Sequence, residues 1–221
     1  FIFHQTIFGL RASLRYDFML DFYINAGAQA EHTETNFNIR NDNNHYANNY
    51  WSVLPFATLM KKWKNDVNIT FSYKRTIQRP RLNELNPSVD YGDPYNTRSG
   101  NPYLQPQLSN NIELTHTWKN MFTTTLNYSV IHNMMNETLV HQDSLIIRSM
   151  GNIGTRYNFG ITESATIPFT KWYTGIFFAN LYENIYDGEV DGYPLNAQQL
   201  TLDLIINHQF SFQKGLSAGL S

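Results

Sequence analysis

This sequence of 221 residues lacks three things: cysteine, long apolar runs and a strong net charge. The absence of cysteine excludes a disulfide framework and any thiolate metal site. No stretch approaches the roughly 18 consecutive apolar residues of a membrane-spanning helix, so a helical membrane protein is excluded. A formal net charge of −2 gives no reason to expect nucleic acid as a partner.

The sequence is instead rich in aromatic residues and in strict alternation. Tyr and Phe number 14 and 15, and aromatic residues make up 15% of the chain. Apolar and polar side chains alternate along residues 67–74, 122–130 and 200–207. A period of two indicates a strand with one apolar and one polar face. The alternation continues for about 15 residues, and a tilted strand that crosses a bilayer needs about 9–11.

The spacing of these segments predicts an all-β, antiparallel up-and-down meander of about 9–10 long strands, forming part of a transmembrane β-barrel. Tight turns and long polar loops alternate between the strands. The predicted strands are 4–16, 20–37, 50–63, 65–80, 105–119, 121–136, 152–168, 171–187 and 197–212, with a tenth near residue 216. The tight turns are 16–19, 63–65, 119–120, 169–170 and 213–215, and the long loops are 38–49, 81–104, 137–151 and 188–196.

Tryptophan and charged residues fit a barrel. Trp63, Trp118 and Trp172 lie beside tight turns, which favours an aromatic girdle at one membrane interface over packing in a core. Glu163 is in phase with apolar neighbours, which a bulge, a position near the membrane interface or a shifted register would each explain. Five charged residues fall on polar faces, as a water-filled or plugged lumen requires: Arg11, Arg15, Lys74, Glu113 and Asp203.

The stretch from Phe71 to Pro106 is the most specific part of the sequence. A strand ends in an Arg-Pro element, an Asn-Pro loop follows, and a Gly-Asn-Pro-x-Leu-x-Pro segment opens the next strand. This pattern resembles the outer membrane β-barrel family of TonB-dependent receptors of the Bacteroidetes type. The motif residues are Arg79, Pro80, Asn86, Pro87, Gly100, Asn101 and Pro102.

The resemblance implies a 22-stranded barrel with an N-terminal plug in its lumen, in the outer membrane of a Gram-negative bacterium. Both ends of the sequence lie inside strand-like stretches. Residues 1–221 are therefore expected to be a partial outer-membrane β-barrel domain, truncated at both ends and without the plug. The implied partners are outer-membrane lipid, a solute at the extracellular loops, and the TonB complex through the missing N-terminal part.

The motif also has a physical interpretation as a shaped loop, which we favour over a ligand site. Its prolines lack an amide donor and push the preceding residue into an extended conformation, so they make the chain leave and re-enter the sheet in a set register. Gly100 is expected at a left-handed or otherwise strained turn position. The side chain of Asn101 is expected to bond its own backbone.

No combination of residues indicates catalysis, so we expect neither an enzyme nor a cofactor. Glu31-His32-x-Glu34 could suggest a metal site, but alternation separates Glu31 from His32 and Glu34, and a solvated strand end is the better interpretation. The acidic segment 187–192 lacks the full calcium-loop pattern and is interpreted as a polar turn.

Any solute is expected to bind the loops, because a barrel holds variable loops on a rigid frame. Their aromatic and polar side chains suit stacking on sugars or gripping a polar ligand, although such residues are also ordinary in exposed loops. The candidates are Tyr91, Asp93, Tyr95 and Arg98 in one loop and Arg40, His45 and Tyr46 in another.

Three functions remain open at this point. The first is a TonB-dependent receptor that takes up a scarce solute, such as a siderophore, haem, a peptide or a glycan. The second is a passive porin or adhesin barrel, which shares every strand-level feature. The third is a soluble carbohydrate-binding β-sandwich, which also alternates but seldom needs strands this long.

Overall fold

The computed structural model describes residues 2–39, 44–64, 66–88, 97–142, 145–212 and 216–220. Its strands are β1 (Ile2–Met19), β2 (Phe22–Ile39), β3 (Asn44–Trp63), β4 (Val67–Gln78), β5 (Thr97–Arg98), β6 (Gln107–Trp118), β7 (Phe122–His132), β8 (Met135–Gln142), β9 (Leu145–Asn152), β10 (Gly154–Pro168), β11 (Tyr173–Val190), β12 (Tyr193–Ser211) and β13 (Ser217–Leu220), with a short helix α1 (Leu82–Leu85). Among these residues no helix is long and apolar enough to cross a membrane.

Ten strands form one antiparallel sheet in the order β1-β2-β3-β4-β6-β7-β10-β11-β12-β13. The predicted meander of about ten long strands is therefore confirmed. A separate small sheet has the order β5-β9-β8. We call the end of the large sheet that carries residues 20–21, 64, 66, 119–121 and 169–172 the turn end, and the opposite end the loop end.

At the loop end some predicted strands are too short, whereas 65–80, 105–119, 121–136 and 152–168 run two to four residues past β4, β6, β7 and β10. Strands β2 and β3 extend into the predicted loop 38–49, and β8 and β9 form a hairpin where 137–151 was expected to be a loop. The predicted loop 188–196 shrinks to a two-residue turn, in which Asp191 and Gly192 have φ values of 54° and 81°. Positive φ at both positions fits the tight hairpin turns whose twist matches that of the strands. Residues 38–49 are almost entirely polar, and the apolar residues of 137–151 stand in short consecutive runs, so neither segment shows the alternation that marks a strand.

The two faces of the large sheet differ as predicted. Leu200, Leu202 and Leu204 of β12 share one face and are 69%, 58% and 66% exposed. On the opposite face, the Asn127 amide donates to Asn158 Oδ1 (2.8 Å), whose amide donates to Asn184 Oδ1 (2.9 Å). This amide ladder crosses β7, β10 and β11. We call the apolar side the outer face and the polar side the inner face.

Glu163 lies on the outer face, and its carboxylate accepts a hydrogen bond from Thr124 Oγ1 (2.9 Å). The β10–β11 register runs without interruption from Gly154 to Pro168. A bulge and a shifted register are therefore both wrong as explanations for Glu163. A position near the membrane interface is the explanation that remains.

The three tryptophans occupy the turn end and are exposed, so packing in a core is wrong for them. Trp63, Trp118 and Trp172 are 48%, 43% and 51% exposed. Trp118 stacks on Phe122, with ring centroids 5.5 Å apart, and Trp172 stacks on Phe210 at 6.2 Å. Such a row of rings at one end of the strands is typical of a membrane-interface girdle.

Candidate functional site

The Arg-Pro element anchors the loop that follows β4. The Arg79 guanidinium forms an ion pair with the Glu31 carboxylate on the inner face of β2, and its Nε donates to Thr33 Oγ1 (3.3 Å). The Gln29 amide donates to the second Glu31 oxygen (2.6 Å). Glu31 is only 9% exposed, so its interpretation as part of a solvated strand end is wrong. Arg79, 48 positions further along the chain, supplies the positive charge that offsets the cost of burying the Glu31 carboxylate.

His32 and Glu34, close to Glu31 in the sequence, do not take part in the ion pair with Arg79. His32 Nδ1 lies 3.5 Å from Glu34 Oε1, and the His32 ring packs on Trp51 with centroids 4.8 Å apart. Within the described part of the chain, no three His, Asp or Glu side chains are close enough together to hold a metal ion.

The described residues 79–88 and 97–106, which together we call the motif loop, are held in shape by their own backbone hydrogen bonds. The Gly100 N–H donates to Asn86 O (2.8 Å), and the Asn101 N–H donates to Glu84 O (2.6 Å). A Cβ at Gly100 would lie 2.6 Å from Asn86 N, so glycine is required by this close approach. Its expected left-handed conformation is wrong, because the only described glycines with positive φ are Gly154 and Gly192. The predicted Asn101 turn is confirmed, since Oδ1 accepts from the Tyr103 N–H (3.0 Å).

The motif loop packs against the inner face of β2 and β3. Leu104 and Leu85 are 1% and 7% exposed, and Phe37 of β2 is 2% exposed. Pro80 and Pro102 line the same small apolar space. The prolines thus hold the motif loop against the wall, and the shaped-loop interpretation agrees with this packing.

A second set of hydrogen bonds ties the motif loop to the β8–β9 hairpin. The Asn101 amide donates to Met150 O (3.1 Å). The Gln105 N–H donates to Asn152 Oδ1 (2.8 Å), and the Asn152 amide donates back to Gln105 O (2.9 Å). The Thr97 hydroxyl donates to Ile146 O (3.0 Å). The motif loop therefore braces the hairpin against the barrel wall.

The three described loop candidates, His45, Tyr46 and Arg98, do not share their contacts. Tyr46 packs edge-on against Tyr103, with ring centroids 5.7 Å apart, and His45 Nδ1 lies 2.5 Å from Asn38 Oδ1. Arg98 lies on the small sheet and contacts Glu137. The remaining candidates, Arg40, Tyr91, Asp93 and Tyr95, lie outside the described residues.

The surroundings of Arg98 include two residues that sequence reasoning missed. Arg148 is the cross-strand neighbour of Arg98 in the parallel β5–β9 pair. Arg98 Nη2 lies 3.2 Å from Glu137 Oε2, and Arg148 Nη1 lies 3.4 Å from Glu137 Oε1. Arg148 and Glu137 are in the segment predicted to be a loop. Arg98 and Glu137 are 39 positions apart in the sequence, so no local pattern signals their contact.

The inner face carries a larger polar cleft of about 700 Å³. Arg11, Lys74 and Glu113 line it, as predicted for a polar lumen. Arg11 lies over the Phe56 ring, with its guanidinium carbon 4.7 Å from the ring centroid. The cleft is bounded by strands β1, β2, β3, β4 and β6 and by Arg79 at the start of the motif loop.

A single meandering sheet with an apolar outer face, a polar inner face and an aromatic row at one end is the wall of a transmembrane β-barrel. The chain belongs to the outer membrane protein beta-barrel family, whose sequence model matches residues 1–221. This membership places it in the outer membrane of a Gram-negative bacterium. A soluble β-sandwich is therefore wrong.

Solved structures show the same fold. Two variants of the FrpB iron transporter from Neisseria meningitidis superpose with TM-scores of 0.67 and 0.68 at 15% and 13% identity, over 97% of this chain and 32% of theirs. The siderophore receptor PirA from Pseudomonas aeruginosa gives 0.53 at 12% identity, over 97% of this chain and 52% of its own. The fold is thus similar to the barrels of TonB-dependent receptors. This chain spans about a third of the FrpB chains, and no curated protein matches it.

Proposed function

We propose that this chain is part of a TonB-dependent outer-membrane receptor of the Bacteroidetes type, which takes up a scarce solute. The observation that carries the proposal is the match of the ten-stranded sheet to iron-transporter and siderophore-receptor barrels over 97% of the chain. The motif at Arg79-Pro80 and Gly100-Asn101-Pro102, which the sequence shares with that type, supports it. The solute would be a siderophore, haem, a peptide or a glycan.

In this proposal residues 1–221 are a partial barrel domain that supplies ten strands of a 22-stranded barrel, with a plug supplied by the rest of the protein. The solute approaches from the loop end, where Arg98, His45 and Tyr46 lie. Arg40, Tyr91, Asp93 and Tyr95, which lie outside the described residues, are proposed to contact it as well. The motif loop acts as the frame for these loops. The TonB complex acts through the plug, and lipid surrounds the outer face.

The test is solute uptake by cells that produce the full-length protein, in isogenic strains with and without tonB. Uptake of labelled ferric siderophore, haem, cobalamin, peptide and oligosaccharide is measured at solute concentrations far below those that support diffusion. We expect one of these solutes to accumulate only when both proteins are present. Uptake that continues without TonB would overturn the proposal in favour of a passive porin, and specific surface binding without uptake would favour an adhesin.

A further inference from the structure

The small sheet at the loop end places two arginines side by side. Strand β5 pairs in parallel with β9, so Arg98 is the direct cross-strand neighbour of Arg148. Like charges in this position repel each other. The Glu137 carboxylate offsets this repulsion by bridging the two guanidiniums, with one oxygen 3.2 Å from Arg98 and the other 3.4 Å from Arg148.

A cavity of about 160 Å³ opens beside this cluster. Asn83 also lines it, and its side-chain amide has no hydrogen-bond partner among the described residues. Ser149 lines it too, but alternation along β9 places its side chain on the opposite face from Arg148. Glu84 is the second carboxylate on the cavity, but its Oε2 accepts from the Arg81 N–H (2.7 Å) at the start of α1. The donors available at the cavity are therefore the two guanidiniums and the Asn83 amide.

The two guanidiniums have spare capacity for a second anion. A guanidinium carries five N–H donors and binds a carboxylate or phosphate through two of them at once. Each arginine uses one hydrogen bond on Glu137. Arg98 and Arg148 are also 67% and 52% exposed, so an incoming ligand can reach them.

The cluster is held in place by the motif loop. Asn101 and Asn152 fasten the loop to the hairpin that carries Arg148, as described above. The Ser99 N–H, next to Arg98, donates to Arg148 O (3.0 Å). Two side chains on a fixed sheet lose less freedom on binding than two on separate loops, which favours affinity.

We propose that Arg98 and Arg148 form an oxyanion subsite, which takes a carboxylate or phosphate group of the solute by displacing Glu137. Glu137 occupies the place of the ligand anion in the unliganded state. The cavity is large enough for one anionic group, while the rest of the solute extends into the neighbouring loops. This inference rests on the proposed function, because it names the chemical class of the solute.

The test is calorimetric titration of the purified full-length protein in detergent at low ionic strength, with citrate and inorganic phosphate as probes and glucose as a neutral comparison. Arg98→Ala and Arg148→Ala should each weaken anion binding about tenfold, since a charge-assisted hydrogen bond is lost. Glu137→Gln should strengthen binding about threefold or more, because the competing carboxylate is gone. Arg15→Ala, which removes an exposed guanidinium at the turn end, should leave binding unchanged.

The opposite effects of the arginine and glutamate variants separate a binding site from a structural ion cluster. Glu137→Gln cannot strengthen binding by misfolding, so that result supports the subsite even if an arginine variant folds poorly. Binding of phosphate alone or citrate alone supports it and indicates a phosphorylated or a carboxylated solute. No binding of either anion, no effect of both arginine variants, or weaker binding by Glu137→Gln would overturn it.

This titration also separates the two proposals from each other. Anion binding is measured without TonB, so passive uptake would overturn the transporter and leave the subsite standing. TonB-dependent uptake by a protein that binds neither probe would overturn the subsite alone.

Discussion

At the residue scale, the ion pair between Arg79 and Glu31 connects the motif loop to the barrel wall. Its side chains are 18% and 11% exposed, so both charges have lost most of their water. Removing one partner of a buried pair leaves the other charge without compensation. The pair therefore matters more to the loop than an exposed pair such as Arg15–Asp17, whose side chains are 58% and 57% exposed.

Arg79→Ala is expected to lower the free energy of unfolding by about 3 kcal/mol, because it leaves the buried Glu31 carboxylate without its ion-pair partner. Urea titration of the full-length protein in lipid vesicles measures this value. Arg15→Ala is the matched control and should cause no measurable loss. Equal effects of the two substitutions would show that the Arg79 pair does not anchor the loop.

Gly100→Ala is expected to destabilise the motif loop by about 2 kcal/mol, as overpacking does in a tight site. The added Cβ would lie 2.6 Å from Asn86 backbone atoms, which cannot rotate away. Limited proteolysis of the full-length protein should then cut this loop faster. Gly9→Ala is the control, since its Cβ would have its nearest neighbour at 3.6 Å and should leave the cleavage rate unchanged. Cleavage as slow as in the parent protein would contradict the prediction.

At the element scale, each long strand separates lipid-facing from lumen-facing side chains, and neighbouring positions should therefore respond differently to charge. The inner face satisfies its polar groups across strands, as the Thr162 hydroxyl does by donating to Asn180 Oδ1 (2.9 Å). The outer face carries no such network along β12, where leucines alternate with Thr201 and Asp203.

Leu202→Arg is expected to cost about 2–4 kcal/mol of folding free energy in a bilayer, because a guanidinium would face the hydrocarbon. Thr201→Arg places the same group on the inner face and should cost much less. Folding of the two full-length variants into lipid vesicles, followed by urea titration, gives both values. A larger loss for Thr201→Arg would reverse the assignment of the two faces.

Strand β3 shows how a single residue limits pairing. The β3–β4 ladder ends at Phe56 and Lys74, and the next residue of β3 is Pro55. Proline has no amide hydrogen to donate, so it is found at edges and at the ends of paired segments. Beyond this point β3 pairs with β2 alone, up to Asn44. The half of β3 at the loop end therefore has one edge without a partner among the described strands, and Asn48 in this half donates to Leu104 O of the motif loop (3.5 Å).

At the scale of the whole molecule, the motif loop and the β8–β9 hairpin project from the loop end while the described connections at the turn end are short, and this difference indicates the orientation in the membrane. Outer-membrane barrels place short turns in the periplasm and long loops outside the cell. The motif loop and the β8–β9 hairpin would then face the medium. The tryptophan row would lie at the periplasmic interface.

This orientation predicts the labelling of introduced cysteines in intact cells. Tyr103→Cys, at a loop-end position that is 73% exposed, should react with a membrane-impermeant maleimide. Leu20→Cys, at the fully exposed turn end, should react only after the outer membrane is permeabilised. The full-length protein without either substitution gives the background. Labelling of Leu20→Cys alone in intact cells would show the opposite orientation.

The sequence by itself determined the strands and their faces. Alternation is a property of neighbouring residues, so stretches such as Leu200–Leu204 reveal which side chains meet lipid without knowledge of any partner strand. The turns at 119–120 and 169–170 and the tryptophans beside them follow from equally local signals, whereas the predicted turn 16–19 is wrong because β1 continues to Met19. The predicted turn 213–215 lies outside the described residues.

Only the tertiary structure decided which distant residues meet. The Arg79–Glu31 pair, the fit of Gly100 against Asn86, and the pairing of Arg98 with Arg148 depend on the path of the motif loop. The strand ends beyond the membrane were also decided by the tertiary structure. Both faces of the sheet contact water there, so the alternation that marks a strand disappears. Local chemistry therefore fixed the wall of the barrel, while contacts between distant segments built its candidate site.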